Sequence, residues 1–368
     1  MNNKTWNVYL INIILSSVIL LAIANWIIDP FNVFESKILK KDYQLNERFC
    51  KIKYLNSNHH LYNGYILGSS RVAAIQPKLL EQYLPEHKFY NMTVGGCTQY
   101  DNLLFLKYFL NNGFNIRTLY LQIDIPDVNG FNPLSINQYV RHHPNVMNES
   151  LVGFYSEYLT TLPWKNFWGK INLNLSNSNS IKNMRYDIQN TGCWYLDYAN
   201  QLIQNDPEYY ASLEPSFHEE VTSRYQMGKY LEDNIQALKE IKKLADQNKI
   251  QLIVFVPPYH HLMMDSFNQE SYVHYLSALS DLFDFWDFSS YHPMVFNNQY
   301  YYSKSYFTSE LVKLMLARIF EDNTIKVPDD FGIYVRKFNL SSHLEYKRKE
   351  IVQRDEQKFN STYICKTN

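Results

Sequence analysis

The chain has 368 residues, with 35 Lys and Arg against 36 Asp and Glu, so its formal charge is −1. This balance, with no basic stripe along the sequence, argues against a nucleic-acid-binding protein. Hydrophobic residues make up 46% of the chain and aromatic residues 16%. That content excludes intrinsic disorder and a collagen-like repeat, and it is enough for one large domain or two smaller ones.

The N-terminal segment carries the clearest pattern in the chain. No charged residue occurs from Val8 to Ile28, and at helical rise this run is long enough to cross about 30 Å of hydrocarbon. We predict a membrane anchor at residues 1–30. A signal peptide is the main alternative, but its apolar core is usually shorter and ends at a small-residue cleavage site. The lysines on the two sides of the run do not determine its orientation.

The rest of the chain alternates buried strands with helices. Strands are predicted at 64–68, 88–92, 118–124, 250–257 and 282–288, and helices at 77–84, 100–111, 225–248, 269–282 and 306–320. This alternation predicts an α/β fold with a parallel sheet covered by helices on both faces. We place that domain at residues 31–325, followed by a polar C-terminal extension at 326–368.

Residues 129–223 interrupt the alternation and are rich in Asn, Ser, Tyr and Trp. We interpret them as an insertion beside the carboxyl ends of the strands, where open α/β sheets bind ligands. A group of aromatic side chains in this insertion could stack on sugar rings or form a small core beneath a long loop. The group consists of Phe154, Tyr155, Tyr158, Trp164, Phe167 and Trp168.

Four cysteines lie far apart, without the spacing of a zinc site, and allow at most two disulfides. The sequence therefore indicates neither a metal ion nor a cofactor.

Two loops after predicted strands have the composition of a nucleophile site. The tetrapeptide GSSR at 68–71 follows the first strand, and Gly68 permits a tight turn that raises Ser70 into the crevice. The second strand runs into NMTVGG at 91–96, whose glycines let the backbone approach an oxyanion closely. A Gly-Ser-Ser turn also occurs as plain structure, so this signal is weak by itself.

These blocks resemble the SGNH/GDSL hydrolase superfamily, in particular its membrane-anchored branch linked to acylation of envelope polysaccharides, in which the first block reads GSS. The resemblance covers about residues 64–320. It implies a three-layer, flavodoxin-like fold with strand order 2-1-3-4-5. It also implies Ser70 as the nucleophile and the N–H groups of Ser70 and Gly96 as the oxyanion hole. Arg71, Asn91 and Asp124, in or beside these blocks, are the expected substrate-binding residues.

Two other blocks depart from the family pattern. Pro126 stands where the third block has asparagine, and Ser303 and Tyr306 stand where the last block has aspartate and histidine. A serine hydroxyl is a weak nucleophile without an adjacent base. His292 and His260, which follow the fifth and fourth strands, are candidates for a relocated base; the alternative is that they are loop histidines on a tyrosine-rich rim.

The resemblance implies a serine esterase or an O-acyl(acetyl)transferase that acts on an envelope glycan. It also implies a single-pass membrane protein whose domain faces outward, into the bacterial periplasm or onto the cell surface. The replaced residues support a second hypothesis, an inactive SGNH-like scaffold that binds a glycan or a partner membrane acyltransferase. A third is an anchored Rossmann-like domain without SGNH ancestry. The expected partners are the membrane and a glycan or acyl ester substrate, not nucleic acid.

Overall fold

The computed structural model describes residues 3–125, 141–176, 184–219 and 230–366. The chain divides into two compact units, called here the first unit (1–57 with 134–179) and the second unit (58–133 with 180–368). The segment predicted as one insertion, 129–223, is therefore shared between the two units. Pro126, which departs from the family pattern, lies outside the described residues.

The helices are α1 (Asn3–Ile28), α2 (Glu47–Asn58), α3 (Pro77–Glu81), α4 (Gln99–Asn111), α5 (Pro144–Met147), α6 (Leu151–Thr160), α7 (Trp164–Leu175), α8 (Asp197–Asn205), α9 (Pro207–Leu213), α10 (Leu231–Gln247), α11 (His261–Met264), α12 (Gln269–Ser280), α13 (Ser309–Ile319) and α14 (Leu340–Lys366). The strands are β1 (Gly64–Leu67), β2 (Phe89–Asn91), β3 (Thr118–Gln122), β4 (Arg185–Tyr186), β5 (Trp194–Tyr195), β6 (Gln251–Val256), β7 (Phe285–Asp287), β8 (Tyr301–Ser303), β9 (Tyr306–Phe307) and β10 (Ile333–Val335). Each of the five predicted strands is present within a few residues of its predicted bounds.

The described part of the first unit is helical. Helix α1 is long and apolar enough from Thr5 to Ile28 to cross a membrane, and it packs against α6 and α7. The unit has its own aromatic core, in which Phe49 of α2 stacks on Phe154 of α6 with 5.1 Å between ring centroids. Tyr158 is also buried there. Part of the predicted aromatic group is therefore core.

The second unit is built on a six-stranded sheet in the order β2-β1-β3-β6-β7-β10. Every neighbouring pair is parallel except β7 and β10, which are antiparallel. The predicted α/β fold with a mostly parallel sheet is confirmed. Strand β10 was not expected, because it comes from the segment that composition indicated to be a polar extension.

Helices cover both faces of this sheet because strand side chains alternate between them. On one face, Ile66 and Tyr120 pack with Met315 of α13 and with α3. On the other face, Tyr65 lies against Phe109 of α4, with ring centroids 4.9 Å apart. Helix α10 packs on α4 and α12 on this second side, and α14 packs on α12. The result is a three-layer arrangement whose parallel strands end at one common edge.

One predicted helix begins later than expected, and the difference matters for the site. Residues 306–308 were predicted as the start of a helix, but Tyr306 lies in β9 and pairs with Ser303 of β8. The backbone of Thr308 is extended, and α13 begins only at the next residue. The helix prediction was wrong at this end because the chain first turns back on itself as a hairpin.

Candidate functional site

The first loop of the site follows β1 and is fixed by close packing. A side chain at Gly68 would come within 3 Å of Gln122 and Val72, so only glycine fits there. The N–H of Ser69, which is buried, donates to Oε1 of Gln122 at 2.8 Å. Ser70 then starts a 3₁₀ turn (Ser70–Val72) with its side chain only half-buried. The hydroxyl of Ser70 is thus presented at the carboxyl end of β1.

The partner of this hydroxyl is a tyrosine. Oγ of Ser70 and Oη of Tyr306 are 2.8 Å apart, and either can donate the hydrogen bond. The hairpin formed by β8 and β9 carries Tyr306 to this position. The ring of Trp194, in β5, lies 6.5 Å from the Tyr306 ring. Tyr306, which contacts Ser70, therefore occupies the sequence position at which the resembled family has histidine.

Neither histidine proposed as a relocated base hydrogen-bonds Ser70 in the described part of the chain. His292 precedes a 3₁₀ turn, where its Nδ1 accepts from the N–H of Met294 at 3.3 Å and its Nε2 lies 2.9 Å from a carboxylate oxygen of Asp330. Both ring nitrogens are thus engaged elsewhere. The expectation that this imidazole serves Ser70 is not met.

His260 also has a local structural role. Its Nδ1 accepts from the N–H of Leu262 at the start of α11, and its ring packs against Phe217 and Tyr301. Burial and the neighbouring His261 lower the pKa of His260 to about 3. The ring is neutral near neutral pH and makes no hydrogen bond to Ser70 among the described residues, so its role as the base stays a prediction.

A buried ion pair lies next to the serine. Nη1 of Arg71 contacts Oδ2 of Asp124, and both side chains are buried. Burial lowers the pKa of the Arg71 guanidinium, but the charge of Asp124 outweighs it, so the net pKa shift is upward. The other carboxylate oxygen accepts from the N–H of Ile125 at 2.8 Å. Arg71 and Asp124, both predicted to bind substrate, neutralise one another within the protein.

Asn91 is likewise occupied within the protein. Its side-chain amide, which is fully buried, donates to the carbonyl oxygens of Val72 at 3.1 Å and Ile75 at 2.9 Å. Its Oδ1 accepts from the N–H of Thr93 at 3.1 Å. Asn91 therefore holds the segment after the serine in place, which corrects its expected contact with substrate.

The second loop runs beside the first. Ser69 and Val94 form a parallel bridge, and Gly96 follows two residues later, exposed and at φ +63°. A side chain added at Gly96 would meet no atom within 4 Å. The backbone there faces open space, where glycine tolerates the left-handed conformation without strain. A role of Gly96 as an oxyanion donor stays a prediction.

A second group of reactive residue types lies at the end of β7 and was not foreseen from the sequence. Oδ2 of Asp287 lies 2.8 Å from Nε2 of His343 and 3.2 Å from Nζ of Lys347. Nζ of Lys347 also donates to Oγ of Ser290 at 2.8 Å, and the N–H of Ser289 donates to Asp287. We call these five residues the buried cluster. The i, i+4 spacing of His343 and Lys347 in the tail is the sequence signal that could have indicated that two of them share a helix face.

The chemistry available to the Ser70–Tyr306 pair, called here the open serine site, is limited. Among the described residues, no group of three or more His, Cys, Asp or Glu side chains could hold a metal ion. The Ser70–Tyr306 pair offers two hydroxyls, each able to donate and accept. Among the described residues no imidazole hydrogen-bonds Ser70, whereas acyl transfer by serine uses an adjacent proton acceptor.

Comparison with known proteins does not place the chain in a family. No protein-family model matches the sequence, and no curated protein matches it either.

Proposed function

We propose that this protein is a membrane-anchored, SGNH-like protein that binds a neutral glycan at the open serine site without hydrolysing esters. Three features support the SGNH-like relation. The central sheet is mostly parallel, in the order β2-β1-β3-β6-β7-β10. Ser70 follows the first strand, and Tyr306 reaches it from the position of the family's histidine. The proposed ligand is an envelope glycan, and the proposed protein partner is a membrane acyltransferase.

The single observation that carries the proposal is the hydrogen bond between Ser70 and Tyr306, at 2.8 Å. In acyl transfer by serine, a neighbouring base takes the hydroxyl proton during attack. A neutral phenol already carries its own proton and does not replace imidazole in that role. Since neither candidate histidine hydrogen-bonds Ser70 among the described residues, the hydroxyl of Ser70 is available for hydrogen bonding but is not activated.

The surroundings of the two hydroxyls favour an uncharged ligand. Arg71 is paired with Asp124, so this guanidinium offers no unpaired charge that would select an ionic group. The half-buried ring of Tyr306 supplies an apolar face, and the buried Trp194 ring lies 6.5 Å from it inside the protein. Hydroxyl groups beside an aromatic face match the alternating polar edges and apolar faces of a sugar ring.

The second candidate function is that of a serine esterase or acyltransferase. It is favoured by the half-buried hydroxyl of Ser70 at the carboxyl end of β1, and by a neighbour within proton-transfer distance. In this case Tyr306 would have to accept the proton.

One experiment separates the two functions. The full chain in detergent is treated with a fluorophosphonate probe and with an aryl acetate, beside the matched Ser70→Ala variant. We expect no labelling or turnover that depends on Ser70. Labelling lost in Ser70→Ala would overturn the binding proposal in favour of the esterase.

Binding is tested with neutral oligosaccharides, with and without O-acetyl groups, by calorimetry on the same preparation. Tyr306→Ala is expected to weaken binding at least tenfold, because it removes a hydroxyl and a ring from the site. The control is Tyr209→Ala, since the Tyr209 side chain is exposed on α9. Equal binding by wild type and Tyr306→Ala would contradict a glycan site here.

A further inference from the structure

Helix α7 of the first unit exposes an apolar stripe. Trp164, Trp168 and Leu175 are 60%, 52% and 79% exposed. Residues four and seven positions apart lie on one side of a helix. Lys170, on the opposite side of α7, is buried. Helix α7 therefore buries a lysine and exposes two tryptophans and a leucine, which is unlike an ordinary surface helix.

The position of this stripe is fixed relative to the end of α1. Nδ2 of Asn25 donates to the carbonyl oxygens of Leu159 at 2.9 Å and Thr161 at 2.7 Å. Asn25 lies three residues before the end of α1, which is about 4.5 Å along the helix axis. Trp164 follows Thr161 by only three residues. The amino end of α7 is therefore held near the level of the last turn of the apolar helix.

A second contact holds α7 itself at that level. Nζ of Lys170 donates to the carbonyl oxygen of Asp29, directly after α1, at 2.7 Å, and lies 3.3 Å from a carboxylate oxygen of Asp42. The Asp29 carboxylate in turn accepts from the N–H of Val33 at 2.8 Å. Two independent contacts thus fix α7 to the point where the apolar helix ends.

The unpaired charges around the stripe are all positive. Lys37, Lys40, Lys41 and Lys165 are exposed and form no ion pair in the described part of the chain. Nζ of Lys41 reaches the carbonyl oxygens at the carboxyl end of α7. The exposed acids of this unit are instead paired with basic residues. They are Glu35 with Lys53, Asp42 with Lys170, and Glu149 and Glu157 with Arg141.

We propose that α7 lies on the surface of a lipid bilayer, with Trp164, Trp168 and Leu175 inserted at the boundary between headgroups and acyl chains. The unpaired lysines lie against acidic phospholipid headgroups. The inference rests on α1 spanning the membrane and is independent of the proposed glycan binding. Tryptophan prefers this boundary, and an interfacial helix binds through apolar area together with basic charge. The first unit is thus anchored both through the bilayer and along its surface.

The test uses the full chain reconstituted in vesicles of brominated phosphatidylcholine and phosphatidylglycerol, with tryptophan emission as the readout. Trp164→Phe and Trp168→Phe are each expected to lose part of the lipid-quenched emission. Trp194→Phe is the matched control, because the Trp194 ring is buried in the second unit. Its removal leaves the lipid-quenched emission unchanged. The remaining tryptophans, including Trp6 and Trp26 of α1, give a constant background.

Two results would overturn the proposal. In the first, lipid quenching is the same in Trp168→Phe as in wild type, and water-soluble acrylamide quenches the Trp168 emission of wild type. The stripe then faces water. If neither quencher reaches the Trp168 ring, the stripe is covered by protein, such as a second copy of the chain. Replacing phosphatidylglycerol by neutral lipid is expected to reduce the lipid-quenched emission of Trp168. Unchanged quenching would contradict the proposed contact between the lysines and acidic headgroups.

Discussion

The open serine site and the buried cluster hold complementary parts of the same chemistry. At the open site, Ser70 is half-buried and reachable, but its partner is Tyr306. In the buried cluster, Asp287 and His343 form an acid–imidazole pair with serines beside it, but all of these side chains are buried. The open serine site is accessible but has no imidazole beside its serine among the described residues, and the buried cluster has an imidazole that lies away from solvent. Residue types alone therefore do not identify an active site.

The two places also differ in what holds them together. The buried cluster joins a sheet strand to α14 through charged groups away from water, where an unpaired charge is costly. The open site joins two neutral hydroxyls at a surface where water can replace either partner. The first arrangement serves stability, and the second leaves groups free to exchange hydrogen bonds with a ligand.

The largest effect is expected from Asp287→Ala. The substitution leaves Lys347 with only the more distant carboxylate of Glu350, 3.8 Å away, and removing one partner of a buried pair typically costs about 3–5 kcal/mol. Chemical denaturation of the full chain in detergent measures the change in the free energy of unfolding. The control is Glu310→Ala, which breaks the exposed pair with Lys313 and should cost about 0.2–1 kcal/mol. Equal losses of unfolding free energy in Asp287→Ala and Glu310→Ala would contradict the stabilising role of the buried cluster.

The buried cluster also predicts sensitivity to acid. Burial raises the pKa of the Asp287 carboxyl, but the charge of Lys347 and the hydrogen bond from His343 outweigh it, so the pKa lies well below its ordinary 3.8. As the pH falls, the unfolded chain takes up this proton before the folded chain does. The stabilisation is therefore complete above about pH 4 and is lost progressively below it. Unfolding free energies between about pH 3 and 6 should show this slope in wild type and a shallower slope in Asp287→Asn.

A smaller effect is expected from Tyr306→Phe at the open site. The variant loses the hydrogen bond to Ser70 but leaves a hydroxyl that water can reach, so the cost is about 0.5–1.5 kcal/mol at most. Tyr301→Phe is the matched control, because the Tyr301 hydroxyl is buried and has no hydrogen-bond partner in the described structure. Its removal is expected to be neutral or stabilising. A Tyr306→Phe loss as large as that of Asp287→Ala would make Tyr306 a structural residue.

The sequence predicted the elements that depend on local pattern. Short apolar runs bounded by turns located β1, β2, β3, β6 and β7, and the glycine after β1 located the serine loop. The hairpin carrying Tyr306 was not predicted, because a Tyr-rich segment next to a helical pattern has no local signal for turning back. The exposed Trp164 and Trp168 and the buried Phe154 belong to one aromatic group in the sequence, and only packing separates them.

The pairing of buried polar groups was the least predictable feature. Arg71 and Asp124 are 53 positions apart, and His343 and Asp287 are 56 apart. Spacing along the chain contains no information about such contacts, since tertiary structure creates them. The polar composition of residues 326–368 suggested a solvated tail for the same reason, although Lys347 neutralises a carboxylate at the end of a core strand.

The account depends on Ser70 lacking an imidazole, and Tyr306→His tests this most directly, alone and together with Ser303→Asp. Labelling by a fluorophosphonate probe is measured for the variants and for wild type, with Ser70→Ala added to each as the control. We predict that wild type is not labelled at Ser70 and that the histidine variants gain labelling that disappears with Ser70→Ala. The contradicting result is strong labelling of wild type at Ser70, at a rate that the histidine variants do not exceed. It would show that the tyrosine already activates the serine.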